Sequence, residues 1–348
     1  MPSRILFKSA LLCIASMPLQ HADAADWTQW GYDAAHSASN PDETTITSAN
    51  VATLTRRYQV TLPDSVDSAP VFAAGIATAL GTKDLLFMTT RYSGKLLAVD
   101  ATTGAVVWSK TTSAKESQSS PAIDPNRQFV YHYGGDGKVH KYAIGDGTET
   151  TTGGWPQIAT LKPSVEKGAS ALAIATSGGD TYLYAVTDGY IGDGGDYQGH
   201  ITTINLSTGT QKVFNTLCSN VTVHMTLNGP PSTDCDLAQS GIWGRGGATY
   251  DAGTNRVYIT TGNGTFDADM GGLNWGDSVL ALKPDGTGAG AGFPLDSFTP
   301  TTFPQLDSQD VDLGSASLSI VPVASNSTVQ HLGLQTGKDS KLHLIDLD

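Results

Sequence analysis

The chain has 348 residues, of which only 15% are charged and 39 are glycine. Its formal net charge of −13 argues against nucleic acid and anionic membrane surfaces as partners. The length allows one large or two ordinary domains with a sizeable core, and abundant glycine suits many short strands joined by tight turns.

Residues 1–24 read as a secretory signal. Arg4 and Lys8 supply the positive end, Leu6 to Leu19 the apolar region, and Ala22-Asp23-Ala24 a small-residue cleavage site. The apolar run is short and broken by Ser16 and Pro18, which disfavours a membrane span. Leu11-Leu12 before Cys13 lack the small residues that lipidation needs. The expectation is a cleaved, periplasmic or secreted protein with no membrane insertion and a mature charge of about −14. In such a compartment Cys218 and Cys235, which bracket a turn-rich segment around Asn228 to Pro231, are expected to form a disulfide.

Residues 54–62 read as a strand, and from Ser68 a unit recurs. Its first copy has strands at 68–74, 85–90, 95–100 and 106–110; the second has them at 119–124, 128–133 and 138–143. The third has strands at 171–175, 182–186 and 200–205, leading into 211–214. The fourth, Gly246 to Gly286, reads as one four-stranded unit interrupted by a long acidic loop, and the fifth covers 315–321, 331–335 and 341–346. Each strand alternates Val, Ile, Tyr, Leu and Thr between Gly, Asn and Asp turns, as half-buried strands require. The third-strand positions Leu96, Val139, Ile201, Val279 and Leu342 are 43, 62, 78 and 63 residues apart. Units of about 40–45 residues with insertions predict an all-β propeller of four-stranded antiparallel blades, five of them visible. No useful helical periodicity appears.

The recurring (Leu/Val)-Xaa-Ala-(Val/Leu)-Asp-Xaa-Xaa-Thr-Gly-Xaa-Xaa-Xaa-Trp, best kept at Leu96–Trp108, resembles the repeat of pyrroloquinoline-quinone (PQQ) propellers. That superfamily contains eight-bladed quinoprotein alcohol dehydrogenases and non-catalytic scaffold relatives. The resemblance covers nearly all of residues 26–348 and implies a propeller domain over 25–348. Five blades against eight, with the last unit stopping after its third strand, implies a C-terminally truncated chain. A five-bladed ring closed by strand 54–62 on the final blade is the alternative.

Three acidic, glycine-rich loops, 188–199, 263–272 and 306–314, join strands of different blades, so a propeller could gather them on one rim. Asp, Asn and Gly loops supply the oxygens that Ca²⁺ needs, although none has EF-hand spacing. Each carboxylate could equally be a solvated turn residue. The resemblance implies more. Asn263, in Thr-Gly-Asn after the second strand, stands where the dehydrogenases place a Ca²⁺ ligand. Asp310 or Asp312, before Gly314, falls in the window of their catalytic base, without the aromatic neighbour. Their third-blade Glu ligand is replaced by Asp193 and Asp196. The tryptophan beneath the quinone should lie some 18 residues before the Asn; Arg245 holds that position and Trp243 is two residues away. Trp275 could cover a ligand or pack a loop, as Trp243 could pack a core. The adjacent cysteine pair of many such enzymes is missing. His132, His140 and His200 share no spacing, so no zinc site is expected. The sequence therefore implies either a Ca²⁺- and PQQ-dependent oxidoreductase acting on an alcohol or polyol, or a non-catalytic propeller that binds a protein partner.

Overall fold

The computed structural model of the protein describes residues 25–113, 115–227 and 235–348. The expected signal segment 1–24 and residues 228–234 of the turn-rich segment lie outside the described residues. Blade 1 is β1 (Val71–Thr78), β2 (Gly81–Thr89), β3 (Lys95–Asp100) and β4 (Val106–Thr111). Blade 2 is β5 (Ala122–Ile123), β6 (Phe129–Tyr133), β7 (Lys138–Ala143) and β8 (Gln157–Ile158). A two-residue strand, β9 (Glu166–Lys167), precedes blade 3, which is β10 (Ala173–Ser177), β11 (Asp180–Gly189), β12 (His200–Asn205) and β13 (Gln211–Asn215). Blade 4 is β14 (Thr249–Asp251), β15 (Arg256–Thr260), β16 (Val279–Leu282) and β17 (Asp296–Phe298); blade 5 is β18 (Ser319–Val321), β19 (Leu332–Thr336) and β20 (Leu342–Asp346). Within each blade consecutive strands pair antiparallel, in the propeller architecture expected from the repeat.

Period-two alternation holds the blades together, because each sheet buries both faces. In β6, Val130 enters a core shared with blade 1, while Tyr131 and Tyr133 enter one shared with blade 3. In β11, Leu183 and Ala185 face blade 2, and Tyr184 and Val186 face blade 4. Tyr258 likewise joins the core between blades 4 and 5, while its neighbours Val257 and Ile259 point back to blade 3. The repeat's Trp108 closes the first of these cores. Its ring lies 5.6 Å from that of Phe87 and 6.4 Å from that of Tyr142, and its Nε1 donates to the Ile144 carbonyl at 3.2 Å.

Three expectations are corrected. Residues 54–62 form no strand: the apolar Leu54 and Val60 stay exposed, and Tyr58 donates its hydroxyl to the Ala101 carbonyl at the turn of blade 1. The segment therefore lies along blade 1 and does not pair with the final blade. The unit 246–286 holds three strands, and its fourth, β17, comes after the loop that follows Gly286. A six-residue helix, α1 (Phe303–Ser308), sits where no helix was legible, being too short to show a period.

Candidate functional site

The loops that follow the second strands of blades 3, 4 and 5 converge on one cavity of about 360 Å³. In blade 3, the end of β11 presents Asp188, and the turn beyond it brings Asp193. β9 pairs with this end, Lys167 opposite Asp188, so an ammonium also reaches the cavity wall. Lys167 Nζ donates to Gln118 Oε1 at 3.0 Å and lies 3.4 Å from Glu116. Asp193 accepts the Tyr197 hydroxyl at 2.8 Å.

In blade 4, Thr261-Gly262-Asn263 leaves β15 and turns over the cavity. Asn263 is 8% exposed; its N–H donates to Asp312 Oδ1 at 2.6 Å and its carbonyl accepts from Ser240 N at 2.7 Å. Its carboxamide has no hydrogen-bond partner among the described residues, although it lines the cavity. Facing the cavity, this group can donate to or accept from a ligand there. Gly262 has to be glycine for a packing reason: a Cβ there would meet Asp312 Oδ1 at 2.8 Å and Trp243 Nε1 at 3.0 Å.

In blade 5, Asp312 is 1% exposed and Lys338 arrives from the end of β19. The Lys338 ammonium is in contact with Asp312 Oδ2, lies 3.1 Å from Asp310 Oδ1, and stands 5.1 Å from the centroid of the Trp243 ring. Burial works against that ammonium, yet Asp312 and Asp310 outweigh it and hold its pKa above the usual lysine value. Asp277 lies behind them; its Oδ1 accepts from Leu313 N at 2.9 Å and its Oδ2 has no partner among the described residues.

Two carboxyls of this group carry raised pKa values. Asp188 is pushed up to about 7 by burial, helped by the nearby Asp193 and Asp312 and opposed by the Gly189 N–H and Lys167. Asp277 is also pushed up to about 7, by burial first and then by Asp312 and Asp307. Carboxyls crowded together and partly withdrawn from water hold protons more tightly, and a cation among them would have the opposite effect.

Of the residues singled out in the sequence, Asn263, Asp193, Asp310, Asp312, Trp243 and Arg245 line this one cavity. Asp310 is at its rim with a side chain 64% exposed, and Arg245 donates to Asp67 at 3.0 Å. Asp196 is not brought there. It accepts from Gln198 Nε2 at 2.8 Å and faces the buried pair of Lys162 and Glu166. Trp275 is not there either, since its ring is buried in the core between blades 3 and 4 and its Nε1 donates to Ser219 Oγ at 3.0 Å. Cys218 and Cys235 are joined by a disulfide, away from the cavity lining. Sequence reasoning missed Lys167 and Lys338, and it held Asp188 only as the first residue of the acidic loop 188–199, with no role of its own. The repeat held a signal for Lys338: Thr336-Gly337-Lys338 follows the second strand of blade 5 as Thr261-Gly262-Asn263 follows that of blade 4.

Among the described residues, no three His, Cys, Asp or Glu side chains are grouped to hold a metal ion by themselves. Hard cations also accept amide and backbone oxygens, and the Asn263 carboxamide, lining one cavity with Asp188 and Asp193, belongs to that donor class. The indole of Trp243 with the cations Lys338 and Arg245 fits a flat anionic ligand in the same cavity. No helix among the described residues is long and apolar enough to cross a membrane.

A family model described as outer membrane protein assembly factor BamB matches residues 39–341. Among solved structures, the quinohemoprotein alcohol dehydrogenase of Comamonas testosteroni is similar at 18% identity and a TM-score of 0.67, covering 92% of this chain and 47% of that one. A quinohemoprotein alcohol dehydrogenase of Pseudomonas putida HK5 is similar at 17% identity and a TM-score of 0.62, covering 92% and 46%. BamB of Moraxella catarrhalis has a TM-score of 0.41 at 12% identity, covering 83% and 76%. The chain thus spans about half the length of the two dehydrogenases, and the likeness is one of fold. No curated protein matches it.

Proposed function

For a chain that belongs to this PQQ-like repeat family, we propose a Ca²⁺- and PQQ-dependent dehydrogenase that oxidises an alcohol or polyol in the periplasm or outside the cell. The observation that carries the reading is the convergence of Asn263, Asp193, Asp312, Lys338 and Trp243 on one cavity. Asn263, through its unpartnered carboxamide, and Asp193 would hold Ca²⁺. Trp243 would lie against the face of the quinone, with Lys338 and Arg245 toward its negative charge. When bound, the quinone would accept hydride from the alcohol carbon. Asp312 would take the hydroxyl proton, and its burial supports this role over the exposed Asp310. The Asn263 N–H and the Lys338 ammonium orient the Asp312 carboxylate, one on each oxygen. Disulfide-bonded Cys218 and Cys235 support an oxidising compartment, in keeping with residues 1–24 as an export signal.

The test is to load the purified chain with PQQ and Ca²⁺ and follow dye reduction on simple alcohols and polyols. Ca²⁺-dependent cofactor uptake is expected, together with its loss in Asn263→Ala. A chain that takes up no cofactor would sink the dehydrogenase reading. It would favour a propeller that serves as a binding or assembly surface.

A further inference from the structure

Between β13 and β14 the chain makes the Cys218–Cys235 bond and then threads between the cavity loops of blades 3 and 4. Gln239 N donates to the Tyr197 carbonyl at 2.8 Å, and Gly199 N donates back to the Gln239 carbonyl at 3.1 Å. The next residue turns to the other side: Ser240 N donates to the Asn263 carbonyl at 2.7 Å, and Gly262 N donates to the Gly241 carbonyl at 2.8 Å. Gln198 Nε2 adds a bond to the Leu237 carbonyl at 2.6 Å. Residues 237–241 are therefore a spacer, bonded on one side to the loop of Asp193 and on the other to the loop of Asn263.

The spacer is held in an unfavourable backbone. Gln239 has φ 85° and Ser240 φ 56°, left-handed values that neither side chain favours and that surrounding structure must impose. Ser240 is fully buried, with its hydroxyl on the Trp275 carbonyl and its own carbonyl accepting from Thr216 Oγ1 at 2.9 Å. The disulfide supplies the anchor on the near side. Cys235 and Leu237 sit in a small apolar cluster with Leu217, Met225 and Cys218. On the far side, Cys218 N donates to Asn274 Oδ1 at 2.8 Å and Ser219 N to the Leu273 carbonyl at 3.1 Å. Asn274 and Leu273 close the same long loop that Asn263 opens. That loop is tied at its end to Cys218 and at its start, through Ser240, to the stretch leaving Cys235.

We infer that the Cys218–Cys235 disulfide is a positioning element of the cavity, fixing through Gln239 and Ser240 the spacing between the loops of Asp193 and Asn263, so that cation affinity depends on its redox state. The inference rests on the reading of this cavity as a cation site. Dithiothreitol supplies two electrons and two protons, closing to its own cyclic disulfide and leaving Cys218 and Cys235 as thiols.

The experiment compares the oxidised chain, the chain reduced while folded, and the Cys218→Ser, Cys235→Ser double variant. Ca²⁺ affinity is measured by calorimetry, Tb³⁺ luminescence is excited through tryptophan, and backbone hydrogen exchange is followed residue by residue. Reduction is expected to weaken Ca²⁺ binding about tenfold, the scale on which supporting groups tune metal sites, and to dim the Tb³⁺ signal. Exchange should quicken at Gln239, Ser240 and Gly262 while the strands of the blades keep their protection, and reoxidation should restore both readouts. Equal affinity and equal exchange in the oxidised and reduced chains would overturn the inference. If no form binds a cation, the proposed function fails, and the exchange comparison still decides whether the disulfide holds the spacer. A double variant that does not fold leaves the decision to the reduced wild-type chain.

Discussion

Replacing Asp188 by Asn should stabilise the cation-free chain at pH 8 and change little at pH 4. Burial, with Asp193 and Asp312 nearby, raises this carboxyl to about 7 from its ordinary 3.8. The folded state therefore holds the proton more tightly than the unfolded state does. Stability falls as pH rises above 3.8, where the unfolded chain gives up the proton, and the loss is complete above 7. A difference of that size corresponds to about 4 kcal/mol once the group is ionised, a large part of the 5–15 kcal/mol by which domains are usually stable. Asparagine keeps the shape and removes the charge, so Asp188→Asn should recover up to about 4 kcal/mol at pH 8. Urea unfolding with and without EDTA, at pH 4 and pH 8, reads the difference directly. In the wild type, added Ca²⁺ should recover more stability at pH 8 than at pH 4. A variant no more stable than wild type at pH 8 without Ca²⁺ would refute the placement of Asp188 in a half-buried, negatively charged cavity wall.

Three further changes separate fold from site. In Gly241→Ala the new Cβ would lie 2.0 Å from Asp188 Oδ1, so urea midpoints should show a loss of about 1–3 kcal/mol, with Ca²⁺ affinity falling tenfold or more by calorimetry. In Asp312→Asn an acceptor for Asn263 N remains but the base does not, so dye-linked turnover should drop about 10²–10⁴-fold while the circular dichroism spectrum is kept. Trp108→Ala empties the core between blades 1 and 2 and should cost about 3–5 kcal/mol in urea unfolding, with no change in cation affinity per folded molecule.

The blades were legible because their chemistry is local. Strands such as Phe129–Tyr133 and Asp180–Gly189 alternate residues between two neighbouring cores, and their turns carry Gly, Asn and Asp. What failed were segments whose state is fixed by distant partners. Residues 54–62 have the composition of a strand, yet Tyr58 and Val60 meet only a turn of blade 1 and no strand edge is offered to them. The two-residue strands β8 and β9 are too short to carry a pattern. At the site, the acidic loops were visible as composition, but composition does not say which way a carboxylate points. Asp196 and Trp275 looked as eligible as Asp193 and Trp243; one turned to Gln198 and the other packed between blades. Lys338 and Asp188 acquire meaning only when second strands are aligned blade by blade, because the C-terminal ends of these strands and the loops leaving them line the cavity.

Equilibrium dialysis of the chain against PQQ, with Ca²⁺ or with EDTA, tests the central claim most directly. The convergence of Asn263, Asp193, Asp312, Lys338 and Trp243 predicts saturable uptake of one quinone per chain with Ca²⁺, quenched tryptophan fluorescence, and loss of both with EDTA. The same absence of uptake with Ca²⁺ as with EDTA would contradict it.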